Sequence, residues 1–532
     1  MVDQVVEPVA ENEEALPQLL GDFAPIDVWQ QHMNTVFYGL RGERLRELYQ
    51  TFAAADYRLG YALAADYVER ATQRRKAGPD LSTPGVVRPT PFDKLRTGSG
   101  MHGLSPPVRS ERSDSEVEER TEAQSRRGHS DTGDAPLTVM EWGCGNGNLA
   151  ACFLDHVKAL DRDATIYPRL RYVLVDASET VLAGARANPE LAGHGDRVEF
   201  VHAPVQDLQS YRDGSIDRII CNELWSELPT KLLLRKAGDV MEEHIRPNLK
   251  ETRLADFPDW SALVQAFDQA DIAGLKPLPA FLEDILWERE YHKIEAKDVP
   301  FRRLVTDFLK LLDEELLVPV NIGAAASLKE ARRLLAPDAI GFSSFDAGTA
   351  DEAVLNDPEK PCYNLVGGQF SFMVNVALLE DVAKQVGVGQ VTVEPQKEFV
   401  GRSLGVNVMS FMDVLASHPN LPQDGPWELD RLILKTIEAV NAGYRSPYER
   451  TIDLPMAPGT PEETRRELEQ LLERQAKHGV PDTVAYLTEE EVMSAAGRLE
   501  ELGYDRGALQ AAFMAPPQPV DYFHFRMGAG EG

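Results

Sequence analysis

Apolar positions fall into three regimes along the chain. Residues 27–75, DVWQQHMNTVFYGLRGERLRELYQTFAAADYRLGYALAADYVERATQRR, carry apolar side chains at helical spacing and predict one or more amphipathic helices. From about 78 to 135 that pattern collapses. Pro, Gly, Ser and charged residues dominate, little can enter a core, and a disordered insertion is predicted. From 136 strand-like and helix-like stretches alternate. PLTVMEW reads as a strand and NLAACFLDHVKAL as a helix, then RLRYVLVDAS as a strand and ETVLAGARANPEL as a helix. DRVEFVHAPV and SIDRIICNEL are two further strands. A helical region follows from about 230 to 335, then the strand AIGFSSFDAG, the helix VALLEDVAKQVG and an extended VTVEPQ. Residues 428–515 return to helices, with Thr460 and Pro461 as N-cap and N1 of TPEETRRELEQLLERQAKHG, and VDYFHFRM is a last strand candidate.

Strands alternating with helices predict an α/β fold, doubly wound around a mostly parallel sheet, with large helical insertions. The expected division is an N-terminal helical segment (1–77), the insertion (78–135), a ligand-binding half of the sheet (136–229) and a helical insertion placed as a lid or substrate region (230–335). The second half of the sheet (336–427) and a C-terminal helical region with a final strand (428–532) complete it.

Composition narrows the classes. A chain of 532 residues is longer than one ordinary core of about 100–200 residues. The 86 acidic against 55 basic residues give a net charge of -31, which repels nucleic acid and anionic lipid and favours a cationic partner, though it also serves solubility. Cys144, Cys152, Cys221 and Cys362 lack paired C-x-x-C spacing and read as reduced thiols. His32, His202, His244 and His292 show no metal-ligand spacing, so no metal is expected. No apolar run approaches the roughly 20 residues that span a bilayer. The N-terminal stretch carries acids where a signal peptide needs bases, and a soluble cytoplasmic protein is expected. PFDKLRTGSG, inside the insertion, resembles peptides encoded by dispersed repeats in some bacterial genomes.

The candidate chemistry starts in VMEWGCGNGNLAACFL, where Gly143, Gly145 and Gly147 follow a strand and precede a helix. Such a turn lets the backbone approach a ligand and aims helix N–H groups at it. A dinucleotide loop, G-x-G-x-x-G, would need glycine at 148, where Asn148 stands. The pattern is instead E-x-G-x-G-x-G from Glu141, the form of class I S-adenosylmethionine (SAM)-dependent methyltransferases. Asp176, at the end of the next strand, either accepts hydrogen bonds from ribose hydroxyls or caps the following helix, a task Ser178 can also perform. Gln206 and Asp207 stand where adenine contacts are expected, or on a surface loop. Asn222, Glu223 and Glu227 fall at the carboxyl end of the fourth strand, where open parallel sheets gather catalytic groups. The two glutamates either grip a guanidinium or form a solvated helical turn.

EWGCGNGNLA, YVLVDASETV, CNELWSELPTK and VEPQKEFVGRSLGV together resemble the MidA-type class I methyltransferases, which include a mitochondrial complex I assembly factor that methylates a protein arginine. FSSFDAG and FSFMVNVALLEDVAKQVG fit the same order, so the likeness runs from about 136 to 410. The resemblance implies a Rossmann-like class I methyltransferase fold. It also implies SAM as cofactor, bound by Glu141, Gly143, Cys144, Gly145, Gly147, Asp176, Ala177, Gln206, Asp207 and Asn222. Catalysis would fall to Asn222, Glu223 and Glu227, on a protein side chain such as arginine. Two departures stand out. The family's acid in N-E-L-L-D-A-L-P falls on Ser226, with Glu227 one position later, and its G-D-F-x-T-x-P-E segment, which closes over the cofactor, is not recognised. These motivate a second reading, a non-catalytic SAM-binding assembly or interaction factor. A nicotinamide-dependent oxidoreductase ranks third. Sequence leaves the acceptor and the oligomeric state open.

Overall fold

A computed structural model describes residues 19–41, 57–77, 135–294, 297, 299–387, 390–420, 426–441, 460–476, 486–515 and 518–528. The chain divides into one compact unit of residues 1–70 and 137–532 and a second of residues 71–136. The predicted insertion lies outside the described residues up to 134. All the strands belong to the first unit.

Seven strands carry the main sheet: β1 (Leu137–Trp142), β2 (Leu170–Asp176), β3 (Val198–His202), β4 (Arg218–Asn222), β5 (Gly341–Thr349), β6 (Val391–Pro395) and β7 (Asp521–Met527). Their spatial order is β3-β2-β1-β4-β5-β7-β6, and a short strand, Val374–Asn375, adds to the end of β5. β1 to β5 run parallel, while β7 is antiparallel to both of its neighbours. This is the doubly wound, mostly parallel sheet that the alternating pattern predicts. The weak C-terminal strand signal proves to be an interior strand.

Helices cover both faces, which is why β1 reads as an almost unbroken apolar run with five of its six residues buried. The helices used below are α1 (Ile26–Arg41), α2 (Tyr57–Ala77), α3 (Asn148–Leu160), α4 (Glu179–Arg186), α5 (Ile322–Leu334) and α6 (Val376–Val386). On one face Trp142 and Trp225 flank Phe342, with ring centroids 5.8 and 5.6 Å apart, beneath α5 and α6. Elsewhere Phe153 of α3 sits between Tyr67 of α2 and Tyr172 of β2. Each such aromatic pair adds about 0.5–1.5 kcal/mol beyond its buried area.

Residues 230–335 depart from the helical expectation. Lys231–Lys236, Asp239–Leu249, Ile285–Lys293 and Val318–Val320 form a second, antiparallel sheet together with Ala24–Pro25. Its first two long strands meet in a hairpin whose two loop residues, Ala237 and Gly238, both have positive φ (51° and 86°). That is the geometry of a tight hairpin turn matched to strand twist, and the glycine was its sequence signal. ILWEREYHK alternates buried and exposed positions over most of its length, a two-residue period that outweighs its helix-forming glutamates. The C-terminal helix begins at Glu462, one residue later than expected, with the Pro461 carbonyl accepting from Arg465 N–H at 2.8 Å.

Buried polar groups tie α2 to the sheet. Asp66 pairs with Arg218 at 3.3 Å, and the Tyr67 hydroxyl donates to Asp217 at 2.8 Å. Arg218 donates to Ser343 Oγ, which lies 2.8 Å from His524 Nε2, while His524 Nδ1 lies 3.0 Å from Glu394. The last three have the connectivity of a hydrolase triad, but Ser343 and His524 are 0% and 2% exposed, so the chain is structural. Among the described residues no helix is long and apolar enough to cross a membrane.

Candidate functional site

The sheet order reverses between β1 and β4, and open α/β sheets bind ligands in the crevice at that point. A cavity of about 870 Å³ opens there. Its floor is the loop after β1. Gly143, Gly145 and Gly147 all have positive φ, 67°, 52° and 76°. The alternate glycines therefore answer a backbone requirement, since a side chain in this region costs roughly 1–2 kcal/mol. The three differ in setting. A Cβ on Gly143 would lie 2.9 Å from Leu224 and one on Gly147 2.6 Å from Leu191, whereas one on Gly145 would meet nothing within 4 Å. Gly145 is thus the point where a ligand can approach the backbone. Gly143, Cys144 and Gly145 line the cavity, while Gly147 stands behind it as N-cap of α3.

Glu141 lies under the loop, 3% exposed, and accepts from the Tyr172 hydroxyl at 2.8 Å. Burial, opposed by that hydrogen bond, pushes its carboxyl up to about 8. Burial also pushes up the Cys144 thiol. Asp176 lines the cavity at the end of β2, and burial raises its pKa to about 6 against backbone donors that include Ser178 N–H at 2.9 Å. The helix-capping alternative falls to Ser178, whose hydroxyl accepts from Val181 N–H at the start of α4. Ala177 and Gln206 also line the cavity. Asp207 does not. It is exposed on the turn after Pro204, because residue 205 must turn its valine into the core and leave residue 207 outside.

The loop after β4 closes the opposite side. Asn222 lines the cavity and keeps Oδ1 buried with no hydrogen-bond partner among the described residues. Glu223 follows with φ 50°, a strained value for a side chain, and its N–H donates to Phe345 O at 2.7 Å. Glu223 and Glu227 both face the cavity from a turn, so the solvated-helix alternative does not hold. Burial raises each to about 8, and Asp346, itself raised to about 6 by burial, adds repulsion to both. Ser226 is buried behind them and its N–H donates to Asp346 Oδ2 at 3.0 Å. The acid that seemed displaced by one residue therefore reaches the cavity from position 227. Four of the described lining residues are acids and none is Lys, Arg or His.

Sequence reading missed the cover. Gln31, Asn34, Thr35, Tyr38 and Gly39 of α1 line the cavity. The stretch Gly21-Asp22-Phe23-Ala24-Pro25 leads directly into this helix. A polar stripe at Asp27, Gln30, Asn34 and Tyr38 fixes it. Gln30 accepts from Thr230 N–H at 2.8 Å and donates to Leu228 O at 2.9 Å, pairing with that segment as another strand would. Asn34 makes the same two-way pairing with Phe370, and Asp27 meets Lys231 at 3.1 Å. The stripe was legible as i, i+3, i+7, i+11 spacing, but nothing local says what it pairs with. Ile322 and Gly323 of α5 complete the wall, with Gly323 N–H donating to Pro229 O at 2.9 Å. Among the described residues no group of three or more His, Cys, Asp or Glu side chains is placed to hold a metal ion.

Residues 123–296 match a family described as "Putative S-adenosyl-L-methionine-dependent methyltransferase", a stretch that holds the glycine loop, Asp176 and both glutamates. Among curated proteins there is no match. A structure from Burkholderia thailandensis bound to S-adenosyl-homocysteine is similar at 11% identity, over 96% of this chain and 89% of that one, with a TM-score of 0.44. A native structure of the same superfamily from that organism gives 12% identity, 96% and 88% coverage and 0.41. Phosphoethanolamine N-methyltransferase 2 of Haemonchus contortus, in complex with SAM, gives 11% identity, 75% and 50% coverage and 0.26.

Proposed function

We propose that the chain is a SAM-dependent methyltransferase that acts on a cationic nitrogen, with a protein arginine as the favoured acceptor. One observation carries this reading. A single cavity joins a left-handed glycine loop and a strand-end aspartate to two half-buried glutamates.

The residues suit the cofactor chemically. The open side of Gly145 admits a ligand against the backbone, Asp176 suits two ribose hydroxyls, and Ala177 and Gln206 suit the base. Asn222 Oδ1, buried without a donor, and Glu141 suit an ammonium group. At about 870 Å³ the cavity is at the upper end of the ~300–1,000 Å³ usual for small-molecule sites, which favours room for a substrate group beside the cofactor. When bound, SAM supplies an electrophilic methyl for in-line displacement, and the protein's work is orientation and charge. Glu223 and Glu227, once ionised by a nearby cation, hold a guanidinium and turn one nitrogen toward the methyl. As the new N–C bond forms, that nitrogen loses a proton, and the glutamates are placed to receive it. The two motives for a non-catalytic reading weaken, because α1 covers the cavity and Glu227 faces it.

Titration calorimetry of the full chain with SAM and S-adenosylhomocysteine tests the cofactor. Micromolar binding, about -8 kcal/mol, is expected. No heat at high micromolar ligand would overturn the reading. Radiolabelled methyl transfer to arginine-rich peptides, scored against lysine-rich ones, tests the acceptor.

A further inference from the structure

Each glutamate of the acceptor side carries a tyrosine hydroxyl drawn from a remote part of the chain. Tyr38, on α1, donates to Glu227 Oε2 at 2.5 Å. Gln369, from the hairpin strand Gln369–Phe372, donates to Glu227 Oε1 at 2.6 Å and to the Tyr38 oxygen at 2.9 Å. Tyr522, on β7, hydrogen-bonds Glu223. We infer that Tyr38 and Tyr522 are positioning residues, which aim the two carboxyl groups into the cavity and favour their ionised form for a cationic acceptor. The acceptor part of this inference rests on the proposed methyltransferase reading; the effect on the carboxyl groups does not.

The arrangement answers an electrostatic difficulty. Glu227 faces Tyr38 from α1, Gln369 from the hairpin, Asp346 from β5 and Asp176 from β2, with Glu223 on its own loop. Glu223 faces Asp346, Tyr522 and Glu227. Burial and these acids favour the neutral carboxyl, whereas holding a cation needs the carboxylate. A hydroxyl donor is the uncharged device that favours the ionised form while leaving the negative charge available to a ligand. Tyr522 itself remains protonated, because burial and the neighbouring Glu223 push its hydroxyl well up. The donors also fix direction. With Oε1 and Oε2 of Glu227 each engaged, its side chain has one orientation in which to meet an acceptor.

The test is a difference titration of the full chain without acceptor. Proton uptake by wild type minus Glu227→Gln isolates the Glu227 carboxyl, and the same difference is taken in a Tyr38→Phe background. Tyr522→Phe is paired with Glu223→Gln in the same way. Loss of the hydroxyl is expected to move the midpoint up by about one pH unit, the size of a charge-assisted hydrogen bond. Midpoints unchanged in both pairs would overturn the inference, whatever transfer assays give. In those assays, with an arginine-rich peptide, the rising limb of the pH–rate profile is expected to shift to higher pH by a similar amount in Tyr38→Phe. A rate lowered equally at every pH would mark Tyr38 as merely structural. S-adenosylhomocysteine affinity is expected to stay within about threefold of wild type. If wild type binds neither nucleoside, the proposed function fails while the titration still decides the positioning.

Discussion

The two sides of the cavity are built by opposite means. On the cofactor side, Glu141, Gly143, Gly145, Asp176 and Gln206 come from one continuous stretch of three strands and their turns. On the proposed acceptor side, Tyr38, Glu223, Glu227, Gly323, Asp346, Gln369 and Tyr522 come from six separate segments spread over nearly the whole chain. The first side is set by backbone conformation and strand ends. The second is set by side-chain hydrogen bonds between elements distant in sequence. A local architecture shows itself in motifs, whereas a distributed one shows only isolated polar residues.

The largest expected effect separates the sides most cleanly. Gly145→Trp would fill the open space beside the loop and remove S-adenosylhomocysteine binding, a drop of at least about 100-fold by calorimetry, with far-UV circular dichroism unchanged. Binding retained by the folded variant would dissolve the distinction. Glu227→Gln should lower methyl transfer by about 10²–10³-fold, the size of losing one preorganised charged group, with nucleoside affinity nearly unchanged. Asp176→Asn should do the reverse, weakening nucleoside affinity by about 10- to 100-fold, the worth of charged hydrogen bonds of roughly 1.5–3 kcal/mol.

A smaller effect concerns the cover. Gln30→Ala leaves Leu228 O and Thr230 N–H without their partner and should cost about 2 kcal/mol in denaturant unfolding. Its damage to transfer should exceed any damage to nucleoside binding, because the segment it holds follows Glu227. A further effect is a slope with pH. Glu141, Glu223 and Glu227 stand at about 8 in the folded chain, above the ordinary carboxylate value of ~4.3, so the folded state holds more protons between those limits. Their contribution to stability is present below pH ~4 and is lost as pH rises to 8. The ligand-free protein should therefore unfold at lower denaturant at pH 9 than at pH 6, and Glu227→Gln should flatten that difference.

The same contrast explains what could be read beforehand. The sheet and the glycine loop were legible because buried parallel strands are apolar runs and left-handed turns demand glycine. Asp176, Glu223 and Glu227 were legible because strand ends mark where such sheets bind ligands. The second sheet was not, since KLLLRKAGDVMEEHIRPNLK mixes residues that suit helix or strand, and long-range pairing decided for strand. Tyr38, Gln369 and Tyr522 were invisible, because each acquires its role only from a partner at least 142 residues away. Asp207 shows the converse error, a polar residue in a plausible place that the turn of the chain leaves outside.

The position of β7 has a consequence for the order of assembly on the ribosome. β6 pairs with β7 and β7 with β5, so β6 has no neighbour in the sheet until residues 521–527 have emerged. Every strand of the glycine-loop half, in contrast, is already complete at residue 222. A nascent chain can thus shape its nucleoside pocket some 300 residues of synthesis before Tyr522 reaches Glu223. β7 closes the sheet and furnishes the proposed acceptor side in one event, so products truncated before it would hold a pocket for the proposed donor without a finished place for its partner.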